Sequence, residues 1–284
     1  MAPTPSHVAR AAVDLPPHIV GVDFSGAGQA GRKVWVTLAQ PAGDNLRVTD
    51  VRRAAGLPGG AAARTPALAA LVAWLRAMGP AAVGLDFPFG LHRSLVPERS
   101  LRAFVAAFRA HYADVQAFRV AMRAAGRSER DLKRACDLEA RTPFAPHNLR
   151  VYRQTWHGIA EVLAPLCAAG ACLLPMEPPQ PGRLWLLEAC PASALKARDW
   201  YHPYKGRGAT HREARAELLR RVEAEGVAVP RSRAGNACMP ARALGGSSWG
   251  SARRVMSAAA WSSSSRSPDC SMRAARAASS VPLA

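Results

Sequence analysis

Three apolar runs in this chain each end in a carboxylate, and this pattern restricts how the chain can fold. The runs are residues 19–23, ending in Asp23, residues 82–86, ending in Asp86, and residues 184–188, ending in Glu188. Moving an ionised carboxylate into an apolar sheet costs several kcal/mol unless a cation or a hydrogen-bond donor meets it. One site shared by the three acids would meet that requirement, so the pattern predicts a common metal site.

Residue alternation and turn signals predict five strands. They are residues 18–24, 33–39, 46–51, 81–87 and 184–188. The first three form a meander, and the fourth is too apolar to be exposed on either face. The sequence therefore predicts an α/β fold with a mixed five-stranded sheet, flanking helices and a helical insertion.

Apolar residues at helical spacing predict the helices. They are a helix around residues 68–75, one long amphipathic helix over 101–115, a helix over 152–163 and a charged helix from about 210 to 225. Residues 126–148 are polar and interrupted by proline. The helical insertion is predicted to span about residues 93–175.

The chain divides into three predicted regions. Residues 1–17 are expected to form a disordered N-terminal arm, without the apolar stretch of about 7 to 15 residues that a signal peptide needs. A cytoplasmic location is therefore expected. Residues 18–225 form the predicted domain, and residues 226–284 form a basic low-complexity tail.

The predicted tail has an unusual composition. It contains eight arginines and one acid, Asp269, and therefore carries a net charge of +7. Serine, alanine, arginine and glycine dominate it, and nothing in it would bury a core. It is either a natural basic tail that binds nucleic acid or the product of a frameshift near residue 230.

Charge and composition limit the partners. Hydrophobic residues make up 49% of the 284, which is enough for a sizeable core. The formal net charge of +18 favours nucleic acid, because counterion release drives binding to phosphate backbones. Only four of the 38 basic residues are lysines, so GC-rich coding explains the arginines equally well. No window approaches the roughly 20 apolar residues of a membrane span, so no membrane partner is expected.

The carboxylates favour a hard cation. Neighbouring strands lie about 4.8 Å apart, and ligands of such sheets gather outside the carboxyl ends of the strands. The six cysteines form no C-x-x-C pair, and the histidines show no metal-ligand spacing, so zinc is not indicated. Carboxylate oxygens favour Mg²⁺ or Mn²⁺. Cys190, close to Glu188, is interpreted as a buried, inert thiol.

Ordinary structural roles compete with the metal site. Asp23 precedes Ser25 and Gly26 and suits a turn, whereas Glu188 could cap the helix after it. Asp86 lies where a turn is only beginning, so a site role is favoured there. Lys205 is interpreted either as a phosphate contact or as an exposed lysine.

Four segments together resemble a known family. They are residues 21–26 (GVDFSG), 84–90 (GLDFPFG), 136–144 (CDLEARTPF) and 188–192 (EACPA). Over about residues 18–225 the chain resembles the domain of unknown function 429 family, described as predicted ribonuclease H-like nucleases. The resemblance implies a ribonuclease H-like fold, with Asp23 on the first strand, Asp86 on the fourth and Glu188 on the fifth as catalytic, metal-binding carboxylates.

The chain departs from that pattern after residue 230. Proteins of the ribonuclease H-like fold usually supply a further acid from a last helix, and no such acidic stretch follows here. The missing ligand puts activity of this chain in doubt and fits the frameshift hypothesis. Asp137 is interpreted either as a substitute ligand or, preferably, as a solvated acid at a helix end.

The leading hypothesis is a divalent-metal-dependent nuclease or phosphodiesterase that acts on DNA or RNA through Asp23, Asp86 and Glu188. The alternative is a non-catalytic nucleic-acid-binding protein of the same fold. A third hypothesis takes residues 23–28 as a phosphate loop of the actin and sugar-kinase type. That class normally has a second similar lobe, and the first motif is not repeated here.

Overall fold

The structure, a computed structural model, describes residues 15–128 and 132–230. The predicted arm, apart from residues 15–17, and the predicted tail beyond residue 230 lie outside the described residues. The strands are β1 (His18–Asp23), β2 (Trp35–Ala42), β3 (Asn45–Arg53), β4 (Ala81–Leu85), β5 (Cys172–Leu174), β6 (Leu184–Glu188) and β7 (Val227–Ala228).

Helices connect and flank these strands. They are α1 (Arg64–Ala77), α2 (Leu101–His111), α3 (Val115–Ser128), α4 (Ala135–Glu139), α5 (Tyr152–Gly158), α6 (Ala164–Ala168), α7 (Pro191–Lys196) and α8 (Ala209–Ala224). A π-helical segment, Ile159–Leu163, joins α5 directly to α6. None of the described helices is long and apolar enough to cross a membrane.

The described strands form one mixed sheet in the order β5-β6-β4-β1-β2-β3-β7. Antiparallel pairing joins β1 to β2 and β2 to β3, and the remaining neighbours are parallel. The predicted α/β class and mixed sheet are confirmed, but the predicted count of five strands is wrong. The two missed strands, β5 and β7, contain three and two residues, too few to give a sequence period. β5 lies inside the predicted helical insertion, and β7 lies after residue 225, where the buried Val227 shows that the expectation of a tail without core residues is wrong at its start.

The prediction of a single helix over 101–115 is also wrong, because α2 ends at His111 and a separate helix, α3, begins at Val115. The Oδ1 atom of Asp114 accepts hydrogen bonds from the backbone N–H groups of Gln116 and Ala117, both at 2.7 Å. This capping starts a new helix. Tyr112 packs on both Phe108 of α2 and Phe118 of α3, so the apolar residues of the two helices share one cluster and their spacing in the sequence shows no gap at the break.

Both faces of the sheet are buried. On one face, β-strand residues such as Val22 and Leu85 pack in a core with residues of α1, α2 and α5. On the other, Trp185 and Val227 belong to a smaller cluster, against which Leu219 of α8 packs. The carboxyl ends of β1, β4 and β6 lie at one edge of these two layers, and the predicted site residues lie there.

Candidate functional site

Asp23 and Asp86 lie at the same level on neighbouring strands. Val22 pairs with Leu85 in the parallel β1–β4 ladder, and the Asp86 N–H continues the ladder with a 3.0 Å hydrogen bond to the Val22 carbonyl. Asp23 is the last residue of β1 and Asp86 follows the last residue of β4. Both acids are half-buried. The sequence-predicted convergence of these two positions therefore follows directly from the strand register.

Glu188 is one step out of register with these acids. It is the last residue of β6 and pairs with Leu85, so Ala189 is level with Asp86. The Ala189 N–H donates to the Leu85 carbonyl at 2.9 Å. Since successive side chains of a strand point to opposite faces of the sheet, the Glu188 side chain leaves the sheet on the face opposite to those of Asp23 and Asp86.

A cavity of about 330 Å³ lies at this sheet edge, and all three predicted acids line it. Its other charged lining residues are Lys33, Arg134, Asp137 and Lys205. Aromatic rings also contribute, from Phe24, Phe87, Phe144 and Tyr204. The space is at the lower end of the range for small-molecule sites.

Arg134 binds the Glu188 carboxylate. Its Nη2 atom donates to Glu188 Oε1 at 2.5 Å, and its Nη1 atom donates to Oε2 at 2.8 Å. The backbone N–H of Phe89 also donates to Oε2, at 2.9 Å. Arg134 therefore donates to both oxygens of Glu188, and Oε2 also has a neutral backbone donor.

The same guanidinium binds Asp137. Arg134 Nη2 reaches Asp137 Oδ1 at 2.7 Å, and Nε reaches Oδ2 at 2.8 Å. Burial acts to raise the pKa of Asp137, but the hydrogen bonds and charge of Arg134 lower it overall. Asp137 is 2% exposed, so its interpretation as a solvated helix-end acid is wrong.

The described residues contain no group of three or more His, Cys, Asp or Glu side chains arranged to hold a metal ion. The structure brings the three predicted acids to one cavity, and Glu188 is one register step away from the other two. Asp23 and Asp86 remain the pair with a common register, and Glu188 is engaged by Arg134. A single ion on two carboxylates is consistent with Mg²⁺ chemistry, because Mg²⁺ usually keeps several waters and takes one or two carboxylates.

Comparison with known proteins identifies the family. A model described as "Protein of unknown function (DUF429)" matches residues 21–244. This chain belongs to the DUF429 family. No curated protein and no solved structure matches the chain.

Helix α5 of this DUF429 protein packs against the two loops that carry Asp23 and Asp86. The Gln154 side-chain amide donates to the backbone carbonyl of Asp86. A Cβ placed on Gly26, after Asp23, would come within 2.5 Å of the Arg153 carbonyl oxygen. No local sequence pattern marks these contacts, because each joins residues more than 60 positions apart.

Two lysines and a cysteine also line the cavity of this DUF429 protein. Lys33 and Lys205 are exposed and line the cavity, which is compatible with both interpretations of Lys205, a phosphate contact and an exposed lysine. Burial raises the pKa of the Cys190 thiol, and the nearby charge of Asp86 acts in the same direction. Since the thiolate is the reactive form, the raised pKa favours an inert thiol, but Cys190 is half-buried and lines the cavity, so the prediction that it is buried is wrong.

Proposed function

We propose that this DUF429 protein is a divalent-metal-dependent phosphodiesterase that acts on nucleic acid. The observation that carries the proposal is the pairing of Asp23 and Asp86 at the same level of neighbouring parallel strands, inside a cavity rimmed by lysines. Two close carboxylates repel each other unless a cation lies between them. A phosphate ester would bring negative charge that matches the lysines.

Asp23 and Asp86 fit Mg²⁺ or Mn²⁺. Both supply hard oxygen donors, both are half-buried, and both loops are held by backbone contacts to α5. A divalent ion bound there lowers the pKa of a coordinated water and polarises a phosphoryl oxygen. The two aspartates would hold the ion, and their fixed backbones limit the reorganisation that binding requires.

Lys33 and Lys205 would orient the substrate. These two cavity-lining lysines come from different parts of the chain, before β2 and after α7. Each would bind a phosphate oxygen as a point charge, and neither contact depends on base identity. DNA and RNA both satisfy this chemistry.

The sheet order supports the finer proposal of a ribonuclease H-like fold. The antiparallel meander β1-β2-β3 continues through β1 into the parallel strands β4 and β6. Asp23 at the end of β1 and Asp86 directly after β4 are the first two acids that the family resemblance implies, and their neighbouring strands support the proposal. Glu188, the third implied acid, ends the sixth strand and not the fifth as predicted, and it is bound to Arg134.

Cleavage of labelled single-stranded and duplex DNA and RNA by the purified protein tests this proposal. We expect cleavage with Mg²⁺ or Mn²⁺, none with EDTA, and a loss of at least about 100-fold in Asp86→Asn, because an amide neither bears the charge nor binds the cation as well. Asp44→Asn, in the exposed turn between β2 and β3, is the matched control and should retain full activity. No cleavage of any substrate, or unchanged cleavage by Asp86→Asn, would overturn the proposal.

A non-catalytic nucleic-acid-binding protein is the second candidate, and the Arg134–Glu188 pair favours it because the pair withdraws one acid from the site. This candidate predicts binding that weakens steeply with salt and is unaffected by EDTA. Binding of that kind without metal-dependent cleavage would select it over the phosphodiesterase.

A further inference from the structure

We infer that Glu188 is a positioning residue, not a metal ligand, and that its ion pair with Arg134 fastens residues 132–151 over the cavity. We call residues 132–151 the wall segment. The statement about the metal rests on the proposed function, whereas the statement about the wall segment does not.

The hydrogen bonds of Glu188 leave little room for a metal ion. Arg134 donates to both of its oxygens, and Phe89 N–H donates to Oε2 as well. The Arg134 side chain is only 12% exposed, so its positive charge is poorly screened by solvent. A divalent cation at Glu188 would have to displace this guanidinium or lie next to it, and like charges repel.

Arg134 is suited to hold two carboxylates because its guanidinium is a planar fork of donors. Nη2 lies between the two acids and donates to Asp137 Oδ1 and to Glu188 Oε1. Asp137 also accepts the backbone N–H of Arg134 at 3.0 Å, which fixes the start of α4. The guanidinium therefore joins the first turn of α4 to the end of β6.

The contact extends from Arg134 to the cavity lining. The Asp137 carbonyl accepts the Thr142 N–H at 2.9 Å, and Thr142, Pro143 and Phe144 line the cavity. On the other side, Lys196 Nζ donates to the Arg141 carbonyl at 3.2 Å. The Arg134–Glu188 ion pair thus attaches the wall segment, which is held together by hydrogen bonds, to the end of β6.

Glu188 also restrains the loop that follows Asp86. Its Oε2 atom accepts the N–H of Phe89, three residues after Asp86. One carboxylate therefore connects the end of β6, the Asp86 loop and the wall segment. This arrangement explains how Glu188 can matter for the site without touching a metal ion.

Two measurements on three variants test the inference. The first is the Mn²⁺ affinity from the electron paramagnetic resonance signal of free Mn²⁺ in the wild type, Glu188→Gln and Asp86→Asn. We expect Glu188→Gln to bind within about twofold of the wild type, because its amide oxygen still accepts from Phe89 and Arg134. Asp86→Asn should bind at least about tenfold more weakly.

The second measurement is amide hydrogen exchange in residues 135–151. Glu188→Gln should raise exchange there at least about fivefold, because the neutral amide attracts Arg134 less strongly. Glu177→Gln is the matched control: it weakens another Arg–Glu pair, Arg102–Glu177, and should leave exchange in 135–151 unchanged. Glu188→Gln keeps the buried Arg134–Asp137 pair intact, so the variant should fold.

The outcomes separate the two statements from each other and from the proposed function. Equal losses of Mn²⁺ affinity in Glu188→Gln and Asp86→Asn would make Glu188 a ligand and overturn the first statement. Unchanged exchange in Glu188→Gln would overturn the second. If the wild type bound no Mn²⁺, the proposed function would fail, Glu188 would still not be a metal ligand, and exchange would still decide the role of the ion pair.

Discussion

Gly158 lies directly against the ring of Phe87. A Cβ placed on Gly158 would stand 2.4 Å from both Cγ and Cδ2 of that ring, closer than real Cβ atoms approach other atoms. Phe87 is the residue after Asp86, and its ring also packs on Phe24, the residue after Asp23, with 4.8 Å between centroids. The glycine in α5 therefore lets one helix support the loops of both aspartates.

Gly158→Ala should destabilise the protein by about 1–3 kcal/mol through overpacking. Helix propensity alone would act in the opposite direction, by about 1 kcal/mol. Urea denaturation measures the sum, and Gly56→Ala is the control because nothing lies within 4 Å of its added Cβ. A Gly158→Ala protein more stable than the wild type would show that the close packing is not maintained.

Gln154→Ala should lower metal-dependent cleavage about tenfold while costing roughly 1 kcal/mol of stability. The reason is that its amide holds the Asp86 carbonyl, and the Asp86 carboxylate would move with its backbone. Steady-state cleavage rates and urea denaturation measure the two effects. Gln116→Ala, on the exposed surface of α3, is the control. A stability loss without any change in rate would contradict a role in placing Asp86.

Acid should weaken the fold through Asp137. Its pKa in the folded protein lies below the ordinary value of 3.8, so the stabilisation is fully present above about pH 4 and is lost as pH falls through the lower, folded pKa. Glu161 acts in the same sense, because burial raises its pKa but His157 and Arg64 lower it overall. Urea denaturation at several pH values below 5 measures the loss.

Asp137→Asn isolates that contribution. It should cost about 1.5–3 kcal/mol at pH 7, because Arg134 is buried and loses one of its two charged partners while Glu188 remains. Its unfolding free energy should then fall less steeply with acid than that of the wild type. Parallel pH profiles for the two proteins would show that Asp137 is not the group that titrates.

Arg102→Lys should destabilise the protein by about 1–3 kcal/mol, although the charge is kept. Arg102 donates to both oxygens of Glu177 and to the carbonyls of Cys167 and Ala171, which ties α2 to the end of α6 and the start of β5. An ammonium group cannot reach all four acceptors. Thermal or urea denaturation measures the loss, and Arg99→Lys, exposed before α2, should be neutral.

The sequence could predict the two aspartates because their signal is local. Asp23 and Asp86 each follow an apolar run, and parallel strands necessarily bring their carboxyl ends to one edge. The helix break before α3 was also predictable in principle, since Asp114 is a good N-cap residue. The uninterrupted apolar spacing from Phe108 to Phe118 concealed it.

Arg134 could not be singled out from the sequence. Arginines are abundant along this chain, and the Arg134–Glu188 contact joins residues 54 positions apart. The burial of Asp137 is equally invisible in the sequence, because Arg134 joins this acid to Glu188 at the end of a distant strand. A pattern within one segment indicates which residues face a sheet edge, but the partners across that edge follow from tertiary packing.

The anomalous scattering of Mn²⁺ in crystals of the wild-type protein distinguishes the roles of the three acids. We predict a single peak coordinated by Asp23 and Asp86, with Arg134 still bound to Glu188. A peak at Glu188 with Arg134 displaced, or no peak at the two aspartates at a Mn²⁺ concentration that supports cleavage, would contradict the proposed site.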